Sequence, residues 1–199
     1  MISLSREQKS ILFGTILGDG YLQKTGKKNA RLRLEHGGKQ KEYLLWKVSA
    51  FKNLFQGKPV FVKRVHPKTK KMYEYWRFQS NSTPELGKMQ RLFYKNGKKI
   101  IPSNFQELFK EPLSLAVWFM DDGYYYPRDN NAYLYLGKLS LDETKIVQDT
   151  LINNLRLKTK ILDKKQEGFV IYFSPSETQK LKTIIGPYII PCLMYKIPS

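Results

Sequence analysis

Two apolar runs in this chain end in the same way. Leu12-Phe-Gly-Thr-Ile-Leu-Gly-Asp19-Gly20-Tyr21 and Leu115-Ala-Val-Trp-Phe-Met-Asp-Asp122-Gly123-Tyr124 each read as a helix that stops at an acidic residue followed by Gly-Tyr. One such run is ordinary, because Asp-Gly is a common turn pair. Two copies within 199 residues point to a duplicated unit whose paired helices bring two carboxylates together. A carboxylate pair can hold divalent ions, which suits phosphodiester chemistry.

Net charge narrows the substrate. Against 35 Lys and Arg stand only 17 Asp and Glu, and the excess of +18 is spread along the chain rather than held in a tail. Such a field favours a polyanion. A ribosomal component or a membrane-surface binder is the bland alternative. Three Trp, 13 Tyr and 11 Phe argue for a packed core and against a disordered basic tail. The length allows one large domain or two small ones sharing a core. No apolar stretch approaches the ~20 residues of a membrane span, and Ser3, Ser5, Arg6, Glu7, Gln8 and Lys9 break up any secretory signal. Cys192 stands alone, which excludes an internal disulfide and fits a reducing compartment. With only His36 and His66, zinc sites built from His and Cys are nearly excluded.

The pattern predicts a helix over 6–17, capped by Ser5 with Gln8 completing a capping box. A hairpin over 21–36 follows, then a helix over 39–55, strands over 60–65 and 72–79, and a helix over 84–95. The second half retraces this path: a helix over 113–121, strand-like alternation from Tyr133 to Leu141, a helix from Asp142 to 156, strands over 158–163 and 168–173, and a helix over 176–185. This is an α+β repeat of two pseudo-symmetric αββαββα subdomains, expected at 1–97 and 113–199 with a linker at 98–112 marked by Pro102 and Pro112. Both halves also end alike, in Lys98-Lys99-Ile-Ile-Pro102 and Tyr195-Lys196-Ile-Pro198, so that Lys99 and Lys196 follow their acids at similar distances.

These residues resemble the LAGLIDADG homing endonucleases of the monomeric, two-motif kind, with Leu12–Gly20 and Leu115–Gly123 in the nine-residue motif. The resemblance spans nearly the whole chain. Neither copy is perfect: Phe13 holds the second position, Val117 the third, and Leu17 and Met120 the first acid of the family name. The resemblance implies subdomains packed through the motif helices, with β-sheet saddles over double-stranded DNA. It implies a site-specific endonuclease that uses Mg²⁺ or Mn²⁺, reads an asymmetric site of ~20 bp and leaves short 3′ overhangs. Asp19 and Asp122 become the catalytic metal ligands, with Gly18 and Asp121 joining the metal set; Asp121 has the alternative of facing the hairpin backbone. Lys99 and Lys196 take the basic positions beside the scissile phosphates, where they order water and stabilise charge on phosphorus, with Lys98 as the rival to Lys99.

Candidate groove readers in the first half are Gln23, Lys27, Arg31, Arg33, Glu35, Lys63, Arg64, Tyr73, Tyr75, Arg77 and Gln79. Those in the second half are Arg128, Asn130, Asn131, Tyr133, Tyr135, Lys138, Lys160 and Lys164. Arg reads guanine edges and Gln or Asn reads adenine, so mixed polar chemistry suits the major groove; any one of them can instead touch phosphate alone. Three other readings compete. Asp163-Lys164-Lys165 supplies the acid-x-Lys tripeptide of restriction-type nucleases, but no upstream acid partners it. An intron RNA maturase, or a DNA-binding regulator of the WhiA kind, can use the same scaffold, although pure binders are expected to lose the motif acids. Introns of an organelle such as the mitochondrion and introns of archaea or bacteria all fit as the host setting.

Overall fold

A computed structural model of the chain describes residues 4–198. Helix α1 (Arg6–Leu17) leads into β1 (Tyr21–Lys24), β2 (Ala30–Gly37), α2 (Lys41–Ala50), β3 (Val60–Val65), β4 (Met72–Gln79) and α3 (Pro84–Phe93). A short hairpin of β5 (Tyr94–Lys95) and β6 (Lys98–Lys99) and the single turn α4 (Phe105–Leu108) follow. Then come α5 (Pro112–Asp122), β7 (Gly123–Tyr126), β8 (Asn131–Tyr135), α6 (Leu141–Leu155), β9 (Lys160–Asp163), β10 (Phe169–Phe173) and α7 (Pro175–Ile185). The αββαββα order occurs twice. Both four-stranded antiparallel sheets share one topology, β1-β2-β4-β3 and β7-β8-β10-β9, as a duplicated unit requires.

Compactness divides the chain differently from its repeat. One unit holds the described residues up to Gln8 together with Asp19–Leu92; the other holds Lys9–Gly18 and the residues from Phe93 onward. Residues 98–112, expected as a linker, carry β6 and α4 and bury Ile101, Phe105 and Phe109. The Asn154 side-chain amide of α6 ties them down, donating to the carbonyls of Gln106 at 2.7 Å and Phe109 at 2.9 Å.

In the first unit the alternation of β2 puts Ala30, Leu32, Leu34 and His36 into the core and Arg31, Arg33 and Glu35 on the open face. Ser5 and Gln8 exchange side-chain hydrogen bonds at 3.1 and 2.9 Å, the expected capping box. In the second unit α6 begins at Leu141 rather than Asp142, capped by Ser140 and Glu143. Strand β8 stops at Tyr135, well short of Leu141, because Gly137 turns the chain at φ +62°. The expected helix over 39–55 is shorter as well: α2 is flanked by 3₁₀ turns at Gly38–Gln40 and Lys52–Leu54.

Every residue from Ser10 to Ile16 and from Ser114 to Met120 is buried, so these largely apolar segments of α1 and α5 are covered all round. They pack together inside the second unit. A methyl group on Gly14 would lie 2.4 Å from the Ser114 carbonyl oxygen and 2.6 Å from Val117 Cβ; one on Gly18 would lie 2.4 Å from Asp121 Oδ2. Gly14 and Val117 hold the third motif position, and Gly18 and Asp121 the seventh. The bulk that departs from the motif in one copy is therefore received by a glycine in the other. Gly14→Ala should cost about 1–3 kcal/mol through overpacking, outweighing the ~1 kcal/mol gain in helix propensity. Its Tm should fall by ~2–4 °C per kcal/mol, whereas Gly26→Ala, with nothing within 4 Å, serves as the neutral control. Equal melting of the two variants would refute the close approach.

Candidate active centre and nucleic-acid interface

The C-terminal ends of the two motif helices are built alike. Lys99 donates from Nζ to the Gly18 carbonyl, and Lys196 donates from Nζ to the Asp121 carbonyl at 2.9 Å. Each lysine thus grips the residue directly before its motif acid, where a cation complements the negative end of the helix dipole. Lys98, the rival, is exposed on β6. Lys99 reaches this place through a turn that the sequence reading passed over. Asn96 and Gly97, at φ +50° and +75°, fold β5 onto β6 and pair Tyr94 with Lys99. Asn-Gly is the strongest local signal for such a turn. Lys196 closes the 3₁₀ turn Pro191–Lys196, with buried Leu193 and Ile197 anchoring it.

Asp122, half-buried at the end of α5, borders a cavity of about 860 Å³ in the second unit, together with Gly18, Lys99 and Lys138. The Asp121 carboxylate lies against Gly18. In the first unit, the Asp19 side chain follows α1 and is 47% exposed, with Oδ2 3.7 Å from His36 Nδ1. Carboxylate and carbonyl oxygens are hard donors that suit Mg²⁺, Mn²⁺ or Ca²⁺. The Gly18 and Asp121 carbonyl oxygens carry two lone pairs each, and a lysine takes one. The donor set fits a divalent ion.

Register sorts the proposed groove readers. On the first sheet Gln23 pairs with Arg31, Arg33 with Gln79, Glu35 with Arg77 and Arg64 with Tyr73, so these residues and Tyr75 share the open face. Glu35 accepts from Arg33 Nε and Arg77 Nε, each at 2.6 Å, and Arg77 donates to the Tyr75 hydroxyl at 2.9 Å. An acid on a basic face thereby holds two guanidinium groups in fixed orientations. Lys27 lies exposed in the β1–β2 turn. Lys63 departs from the set: one residue before Arg64, it falls on the opposite face and pairs with Glu74 at 2.8 Å.

The second sheet is aromatic where the first is charged. Tyr133, Tyr135 and Lys160 share its open face, and Lys164 reaches over it, with Nζ 4.9 Å from the Tyr133 ring. Burial, then neighbouring Tyr172 for Tyr133 and Glu167 for Tyr135, pushes both phenols up, so they stay protonated donors at neutral pH. Asn131 is 8% exposed, a poor position for reaching a base. In the adjoining turn Arg128 pairs with Asp129, and Asn130 accepts from the Tyr125 hydroxyl. Pairing adds faces the alternation missed: Tyr21 opposite Arg33, Val60 and Val62 opposite Arg77 and Tyr75, and Tyr124 and Tyr172 beside Tyr133. The period-two spacing of their neighbours was the signal available for them.

A duplicated αββαββα fold with an acid and a lysine at each motif-helix end defines the class. Residues 9–181 match the LAGLIDADG DNA endonuclease family, and the chain belongs to that family. It is 29% identical over 201 residues to the probable intron-encoded endonuclease 1 of Wickerhamomyces canadensis, covering 98% of this chain and 85% of that protein. It is 28% identical over 203 residues to the cytochrome b mRNA maturase bI2 of Debaryomyces hansenii, covering 98% and 74%. The solved structure of the homing endonuclease I-WcaI bound to its DNA recognition sequence superposes with a TM-score of 0.91 at 27% identity, over 100% of this chain and 88% of that one. The chain spans about half the length, 47%, of the Mycobacterium shimoidei protein named RecA, to which it is 29% identical over 209 residues. No helix among the described residues is long and apolar enough to cross a membrane.

Proposed function

We propose that the chain is a monomeric, site-specific endonuclease that hydrolyses both strands of a long asymmetric DNA site and leaves short 3′ overhangs. The observation that carries this reading is the matched pair of lysine-to-carbonyl contacts, Lys99 to Gly18 and Lys196 to Asp121, which gives the residue before each motif acid the same partner. The I-WcaI structure, solved on its DNA recognition sequence, supports a DNA substrate. Asp19 and Asp122 would each hold a divalent ion, Mg²⁺ or Mn²⁺, at one scissile phosphate, with Gly18 and Asp121 offering carbonyl oxygens. When bound, such an ion supplies Lewis-acid stabilisation and a more acidic water. Lys99 and Lys196 hold their carbonyls in place and present positive charge toward the phosphate. The open faces of the two sheets track the grooves, the first through its Arg and Gln side chains and the second through tyrosine. Cleavage of a randomised duplex library in Mg²⁺, with sequencing of both ends, tests the reading. Recovery of one asymmetric site with 3′ overhangs supports it, and blunt or sequence-independent cutting contradicts it.

The likeness to the cytochrome b mRNA maturase favours intron RNA as a second partner. That role is compatible with cleavage, since both acids are present. Lys99→Met and Lys196→Met should slow single-turnover cleavage about 10–100-fold, because a preorganised donor is lost while the ions keep most of the charge stabilisation. Lys98→Met should cut near the parental rate. Equal slowing by Lys98→Met would remove Lys99 from its role.

A further inference from the structure

The two acids differ in what stands behind them. Counted from the shared Asp-Gly-Tyr, Tyr21 pairs with Arg33 on β2 and Tyr124 pairs with Tyr133 on β8. Three residues further on, the first half has His36 and the second has Leu136. The His36 side chain is 1% exposed, and its Nδ1 lies 3.7 Å from Asp19 Oδ2. Its ring packs on Tyr43, with centroids 4.7 Å apart. Tyr43 is itself fully buried, stacked on Trp46 and faced by the Lys47 ammonium 4.3 Å from its centroid. Helix α2 thus fixes the imidazole while the carboxylate beside it sits at the surface. Leu136, 7% exposed, borders the same cavity as Asp122 and has no hydrogen to donate.

We infer that His36 is a positioning residue for Asp19 alone, so that the two cleavage centres of this chain are unequal. At 3.7 Å the pair is beyond a hydrogen bond, and a turn of the exposed Asp19 carboxylate onto Nδ1–H closes it. A held carboxylate keeps its other oxygen aimed at an ion, the usual service of such an outer partner. Asp122 lacks it.

The inference rests on the endonuclease reading, and a strand-resolved assay on supercoiled target plasmid in Mg²⁺ separates the two. His36→Leu should slow one strand about 10–100-fold and leave the other at the parental rate, so that nicked circle accumulates with its break always in the same strand. His36→Asn, whose amide donor sits where Nδ1 sits, should restore the parental rate on the slowed strand. His36→Gln, whose donor lies one bond too far out, should nick like His36→Leu and serves if the leucine variant melts early. Without metal, Asp19→Asn should shift the His36 side-chain ¹⁵N resonance. Equal slowing of both strands, no slowing, or an unmoved resonance each overturns the role of His36. A parental chain that cuts neither strand removes the endonuclease reading and His36's role with it.

Discussion

Asp19→Asn and Asp122→Asn should each leave the chain folded and bound to its DNA target yet reduce double-strand cleavage by ~10³-fold or more, about 4 kcal/mol of transition-state stabilisation. Asparagine matches aspartate in shape, and neither acid lies in the core: the Asp19 side chain is 47% exposed and Asp122 is half-buried at the end of α5. Only the charge and one hard oxygen donor are lost. DNA affinity measured in Ca²⁺ should therefore equal the parental value or exceed it, since one negative charge facing phosphate is gone. Cutting of both strands by Asp122→Asn at the parental rate in saturating Mg²⁺ would remove Asp122 from the cleavage centre.

Affinity for that target should collapse with salt. A chain of net charge +18 that places six to ten basic side chains on phosphates would lose about 10³–10⁵ in affinity between 50 and 200 mM salt, a log-log slope of roughly −0.9 per neutralised phosphate. Glu35 refines this expectation. With Arg33 and Arg77 both bonded to its carboxylate, those two guanidinium groups are partly neutralised before DNA arrives. Glu35→Gln should therefore steepen the slope by up to about two phosphate contacts while relaxing sequence preference, which a titration series on matched and mismatched duplexes would reveal. A slope near zero for the parental chain would end the nucleic-acid reading.

Local chemistry made most of the fold legible. Strands β3 and β4 lie over Val60–Val65 and Met72–Gln79 as expected, because a turn-rich Pro67–Lys71 stretch bounds them, and Ser5 with Gln8 announced α1. The misreadings share a physical origin in partners distant along the chain. The alternation from Tyr133 to Leu141 continues past β8, yet pairing ends where Gly137 turns against Gly168, which has room for no side chain there. Lys63 looked like Arg64 in composition and differs in parity, which only the register with β4 reveals. The acid and lysine at each motif-helix end were visible from their recurrence. His36 was not, because a histidine on the buried side of a strand resembles any core residue until the neighbouring carboxylate is located.

The packing of Gly14 against Val117 and of Gly18 against Asp121 has a bearing on descent. Two copies of the first half joined about a twofold axis would set glycine against glycine and leave gaps. Two copies of the second would force Val117 and Asp121 into their own images. Each half thus carries the mould of the other, and two copies of either half alone would lack that fit at these positions. Because the bulk is divided between the copies at two positions, no single substitution makes the two halves alike there.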